Sequence, residues 1–121
     1  MKAFIINLAK NKDRREYMHN MLTEYGLEHE FVDGLYGREA DDKFISQIYD
    51  SKKSIEVNGQ DLSRAEIGCA YSHTLVYKKI VEQNLIDALV LEDDVYLDST
   101  ILDVITLLES TKHKRDRKSV V

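Results

Sequence analysis

This 121-residue chain contains no proline and no tryptophan, and its only cysteine is Cys69. Without proline there is no proline-rich linker to divide it, and neither an internal repeat nor a low-complexity tract interrupts it. A lone cysteine excludes an intrachain disulfide, which suits a reducing compartment and reads as cytoplasmic. Long hydrophobic runs are also missing. The apolar stretch at Ala3-Phe4-Ile5-Ile6 is too short for the core of a signal peptide, and no small-residue cleavage site follows it. No other segment reaches the length needed to span a bilayer, so any membrane contact is expected to be peripheral. Positive charge is the minority sign, with 17 Lys and Arg against 22 Asp and Glu, a net charge of -5. That balance argues against a general nucleic-acid binder, which needs excess positive charge facing phosphates. The one basic stretch, from Lys112 to Lys118, reads as a solvated loop; the competing reading is contact with anionic lipid at the inner face of a membrane.

What is present fits a folded unit. The hydrophobic share of 43% and charged share of 32% suit a globular chain, and the length allows one core but not two ordinary domains. Residues 3–8 read as a short buried strand. Asn11 is placed to cap a helix carrying Asp13 in its first turn, with Tyr17, Met18, Met21, Leu22 and Tyr25 at helical spacing and Gly26 as a stop. A second strand is expected over residues 29–32, with a turn at Asp33-Gly34, then a helix over 41–49. Residues 51–61 lack periodicity and read as a loop. Ser63-Arg64-Ala65-Glu66 has the form of a capping box opening a long helix to about Gln83, with apolar residues placed so as to bury more than one side. Asn84 ends it, residues 86–91 form the next strand, and Ile101, Leu102, Ile105 and Leu108 mark a further helix. Ser119-Val120-Val121 starts another strand. Strands alternating with helices indicate an α/β fold with a mostly parallel sheet flanked by helices, in which ligands bind beyond the carboxyl ends of the strands.

One of those ends carries unusual chemistry. Ala88-Leu89-Val90-Leu91 runs directly into Glu92-Asp93-Asp94, and three adjacent acids repel one another unless they are solvated or meet a cation. The hard cations Mg²⁺ and Mn²⁺ favour such oxygen ligands and bridge protein to phosphate. Asn7-Leu8 ends the first strand, so the two ends face one cleft if their strands are neighbours.

Asn7-Leu8 with Asp13-Arg14-Arg15, then Phe31-Val32-Asp33-Gly34, then the block from Leu62 to His73, then Leu91-Glu92-Asp93-Asp94-Val95 together resemble glycosyltransferase family 25. The blocks occur in the family's order and cover residues 2–98. The resemblance implies a Rossmann-like, GT-A-type nucleotide-sugar-binding domain over residues 1–121. Family members are longer, and this chain ends as another strand begins, so the domain is expected to be the incomplete, donor-binding half. The implied reaction moves a hexose, galactose or glucose, from a UDP-sugar to lipooligosaccharide or lipopolysaccharide with Mn²⁺ or Mg²⁺ on the diphosphate. Carried onto this chain, Asp94 is the expected metal ligand, supported by Glu92. Asn7, Arg14, Ser72, His73, Glu92 and Asp93 are expected to contact the nucleotide sugar, with Arg14 suited to phosphate.

Other residues receive blander readings. Arg15 reads as a surface charge, Glu66 as the capping-box acid, and Cys69 as a small hydrophobe without chemistry. Gly68, costly inside a helix, points to close approach by backbone or ligand. His19, His29 and His113 have no partners at metal-ligand spacing. No side chain stands out as the base that an inverting transfer needs. Two alternatives accompany this reading: an inactive binding or assembly module of the same fold, self-associating through an unfinished sheet edge, and a Mg²⁺-dependent phosphoacceptor domain. The latter needs an acidic pair after the first strand, where this chain has Asn7-Leu8.

Overall fold

The computed structural model describes residues 1–111 and the backbone of 112 and of 119–120. The elements run β1 (Ala3–Asn7), α1 (Lys12–Glu24), β2 (His29–Asp33), a 3-10 turn (Gly37–Glu39), α2 (Asp42–Ile48), α3 (Ser51–Asn58), α4 (Arg64–Glu82), β3 (Asp87–Glu92), α5 (Thr100–Lys112) and β4 (Ser119–Val120). The strands form one parallel sheet in the order β2-β1-β3-β4. Because β2 lies on one side of β1 and β3 on the other, the chain reverses its direction of travel across the sheet between β1 and β3. This is the switch point at which open α/β sheets leave a crevice beyond their strand ends.

Side-chain alternation along the strands builds two cores. Ala3 and Ile5 of β1 and Leu89 and Leu91 of β3 face one way and pack with Met18 and Leu22 of α1 and Ile105 of α5. Phe4, Ile6, Val32 and Ala88 face the other way and pack on Val76 and Ile80 of α4. The result is a three-layer α/β/α arrangement, as the alternation of strand and helix signals implies.

Two of the crossover helices, α1 and α4, end the same way. Gly26, with φ of 69°, and Asn84, with φ of 53°, take left-handed conformations just past α1 and α4. In each case two amides turn back onto the last turn: Gly26 N–H to Thr23 O and Leu27 N–H to Leu22 O, Asn84 N–H to Val81 O and Leu85 N–H to Ile80 O. These paired bonds are a Schellman ending, which stops the helix and aims the chain at the next strand.

Three local expectations differ from the structure. Residues 51–58 form α3 rather than loop. Its N-cap Asp50 accepts from Lys53 N–H and Gly59 closes it at φ 76°, but Ile55 and Val57 are exposed, so there is no buried apolar stripe to give a periodic signal. Asn11 occupies the N-cap of α1 without a side-chain cap; its carbonyl instead accepts from Arg15 N–H and from Asn7. The helix α4 buries a single stripe, Ile67, Gly68, Ser72, Val76 and Ile80, and leaves Tyr77 and Val81 exposed. The capping box at Ser63 and Glu66 is formed in both directions. The basic stretch beyond Lys112, His113 and Val121 lie outside the described residues.

Candidate functional site

β1 and β3 are neighbours, with Ile6 opposite Glu92, so Asn7 and the acidic run end side by side at the carboxyl edge of the sheet. The ladder continues one step further through Asp93 N–H to Ile6 O at 3.1 Å. Alternation then separates the first two acids: Asp93 follows Leu89 and Leu91 toward α1, whereas Glu92 follows Ala88 toward α4. Sending neighbouring carboxylates to opposite faces reduces the repulsion that a run of three would otherwise suffer.

On the α1 side, Asp93 is held on both oxygens. The Asn7 amide donates to its Oδ2 at 2.8 Å and to the Asn11 carbonyl at 3.1 Å. Arg14 lies 3.4 Å from Oδ1, with Arg14 half-exposed and Asp93 only 10% exposed. Asn7 itself is 1% exposed, so it fixes the strand end and the start of α1 from beneath rather than from within the cleft. Arg15 points elsewhere, toward Asp33 and over the Phe31 ring, in keeping with a surface charge.

A cleft of about 240 Å³ opens over this edge, lined by Ile6, Leu8, Arg14, Leu35, Tyr36, Gly37, Ala65, Cys69, Ser72, Glu92, Asp93 and Asp94. A second, open cleft between Tyr17 and Tyr96 shares Arg14, Asp93 and Asp94 with it. Among the described residues Asp94 makes no hydrogen bond or ion pair, which leaves both carboxylate oxygens open to a hard cation. That donor chemistry fits the expected metal role.

The far wall of the cleft is the segment after β2, and glycines set how closely it approaches α4. A Cβ on Gly37 would lie 1.8 Å from Arg64 O, and one on Gly68 would lie 2.6 Å from Leu35 O. Gly68 therefore answers to backbone contact. Ser72, 2% exposed, accepts from Leu35 N–H at 2.8 Å and donates to Gly68 O at 2.7 Å, pinning the same wall. Tyr36 in that wall carries the Lys10 ammonium 3.5 Å from its ring centroid.

On the α4 side, Cys69 Sγ donates to Glu92 Oε1 at 3.2 Å, and His73 Nε2 lies 3.7 Å from the same oxygen. Desolvation, the hydrogen bond to Glu92 and the nearby charges of Glu92 and Asp94 raise the Cys69 pKa, so the thiol is a poor nucleophile. The structure thus brings Arg14, Ser72, Glu92, Asp93 and Asp94 to one cleft, sets Asn7 behind it, and places His73 against Glu92 beside it. Leu35, Tyr36 and the Cys69 contact were missed from sequence. Cys69 and His73 sit four residues apart on a helix, and that spacing was the available signal.

The family model for glycosyltransferase family 25 (LPS biosynthesis protein) matches residues 1–119. The chain belongs to glycosyltransferase family 25. Among its relatives, "Procollagen galactosyltransferase 1-A" of Xenopus laevis is 32% identical over 92% of this chain and 19% of its own length. "Procollagen galactosyltransferase 2" of Homo sapiens is 33% identical over 78% of this chain and 16% of its own. "Inactive glycosyltransferase 25 family member 3" of Homo sapiens is 32% identical over 81% and 17%. The chain therefore spans less than a fifth of the length of these family 25 relatives, and identity alone does not separate the relatives named as transferases from the one named inactive.

Proposed function

We propose that this family 25 chain forms the donor-binding unit of a metal-dependent hexosyltransferase. It would hold a UDP-sugar at the β1/β3 switch point, with galactose or glucose passing to a lipooligosaccharide or related glycan. The observation that carries the reading is the placement of Glu92, Asp93 and Asp94 at and just past the end of β3, beside β1 and over a cleft. Asp94, with Glu92 beside it, would hold Mn²⁺ or Mg²⁺, which when bound neutralises the diphosphate leaving group. Arg14 would turn from Asp93 to a phosphate oxygen, and Tyr36 and Leu8 would offer apolar cover to the base. Ser72 would act by holding the Leu35 wall, and Asn7 by keeping Asp93 in place.

The test is a thermal melt with UDP and Mn²⁺ added together and separately. A ligand at roughly ten times its Kd stabilises the folded chain by about 1.4 kcal/mol, a shift of several degrees for a domain of this size. The shift is expected with the pair and lost in Asp94→Asn, whose own melt without ligand stays near that of the parent. No shift with any of UDP-galactose, UDP-glucose or UDP-N-acetylglucosamine in the presence of Mn²⁺ would remove the reading. The similarity to an inactive relative favours a second one, a module that binds donor without transferring it. Release of UDP from a bound UDP-hexose decides between them.

A further inference from the structure

The groups on the α4 side of the cleft include Cys69, which the donor reading leaves idle, and His73, which the structure sets against Glu92. One ligand atom each from Cys69, His73 and Glu92 lies within 4.8 Å of the other two, with 3.2 Å between Cys69 Sγ and Glu92 Oε1 and 3.7 Å between His73 Nε2 and Glu92 Oε1. In a tetrahedral zinc site, bonds of ~2.0–2.3 Å set the ligand atoms roughly 3.3–3.7 Å apart, so small side-chain rotations suffice to close these three around one ion. Cys69 and His73 stand at i and i+4 on α4, the spacing by which a helix offers two ligands to a single metal. The third ligand comes from a strand, whose position is fixed by the β1/β3 ladder. All three are reachable: Cys69 is exposed, and His73 and Glu92 are 30% and 47% exposed. A thiolate and an imidazole with one carboxylate select zinc over Mg²⁺ or Mn²⁺, which prefer oxygen.

We propose that Cys69, His73 and Glu92 form a Zn²⁺ site with one open coordination position, separate from the hard-cation position at Asp94 but drawing on the same Glu92. Zinc held there withdraws Glu92 from the neighbouring position and so antagonises binding of UDP with Mn²⁺. This antagonism depends on the donor-site reading; zinc binding itself does not.

The metal-free chain is titrated with Zn²⁺ by calorimetry and with Co²⁺ by absorption. One Zn²⁺ per chain is expected, and Co²⁺ should give a thiolate-to-metal charge-transfer band. Cys69→Ser should abolish the band. Both Cys69→Ser and His73→Gln should weaken zinc by at least about tenfold, the lower end of the loss seen even for groups behind the ligands. Asp94→Asn should keep its zinc, as should His29→Gln, which disables the other close ring pair, His19 Nδ1 and His29 Nε2 at 3.0 Å. No zinc binding, affinity unchanged in both Cys69→Ser and His73→Gln, or affinity lost in His29→Gln would each overturn the proposal. Zinc binding without a UDP and Mn²⁺ melting shift would fail the donor reading and leave the zinc site standing; the reverse pattern would do the opposite.

Discussion

At the scale of single residues, the organising pair is Asn7 and Asp93. A nearly inaccessible amide donating to a carboxylate 2.8 Å away fixes that carboxylate from beneath, while the half-exposed Arg14 meets its other oxygen at 3.4 Å. Asn7→Asp replaces the donor by an acid facing Asp93. One of the two carboxyls must then titrate well above the ordinary range, so the penalty is full at neutral pH and shrinks as pH falls and a proton is shared. The variant is expected to lose about 2–3 kcal/mol at pH 7 and clearly less near pH 4, relative to the parent at each pH, by urea unfolding. An equal loss at both pH values would show that the pair is not carrying the effect. The types of these residues were legible in the sequence, as was the alternation of a strand. Their contact was not, because it depends on β1 and β3 being neighbours, and residues 86 apart do not announce that.

At the scale of elements, two joints hold α4 in place. The first is the glycine contact between the 3-10 turn and α4. Gly37→Ala drives a Cβ onto a backbone carbonyl at 1.8 Å, Gly68→Ala onto one at 2.6 Å, and neither backbone can swing aside as a side chain would. Each substitution should cost roughly 1–3 kcal/mol or more, Gly37→Ala the larger, and the double variant less than the sum, since one separation of the two segments relieves both. Chemical denaturation of the three variants measures this. Additive losses would mean that the two glycines act independently.

The second joint is an ion cluster at the opposite edge of the sheet. Glu30 of β2 meets Lys79 at 2.8 Å, Lys2 at 3.0 Å and Gln83 at 3.0 Å, tying β1 and β2 to α4. Hydrogen bonds from Lys79 and then from Lys2 and Gln83 hold the Glu30 carboxyl down at about 2, below its ordinary 4.5. A carboxyl with a depressed folded-state pKa stabilises above its ordinary pKa and loses that contribution as pH falls toward about 2. Glu30→Gln should therefore cost about 1 kcal/mol at pH 7, a figure reduced for solvent screening, and almost nothing near pH 2. A difference between the two proteins that does not change with pH would refute the assignment. Nothing in the sequence marked this cluster, because Lys2, Glu30 and Lys79 each read as ordinary surface charges until the sheet order brings them together.

At the scale of the whole molecule, the parts read well from sequence are those with apolar periodicity or cap chemistry: β1, β3, the capping box of α4 and the stops at Gly26 and Asn84. The parts read poorly, α3 and the wall at Leu35 to Gly37, are built from backbone approach and side-chain caps with little apolar surface, so they leave no periodic trace. The same division should appear in native-state hydrogen exchange. The β1 and β3 amides, between two cores, should open only with global unfolding, while α2 and α3 should open in a smaller unit, since Ile45 and Ser54 are their only buried residues. Adding UDP with Mn²⁺ is then expected to slow exchange at Leu35 to Gly37 and at Glu92 to Val95, and to leave the amino ends of the strands and α3 unchanged. Protection confined to α3, or spread evenly through the chain, would place the ligand away from the switch point. Protection at the two cleft walls in the parent but not in Asp94→Asn would tie the acidic strand end, through its metal, to closure of the wall across from it.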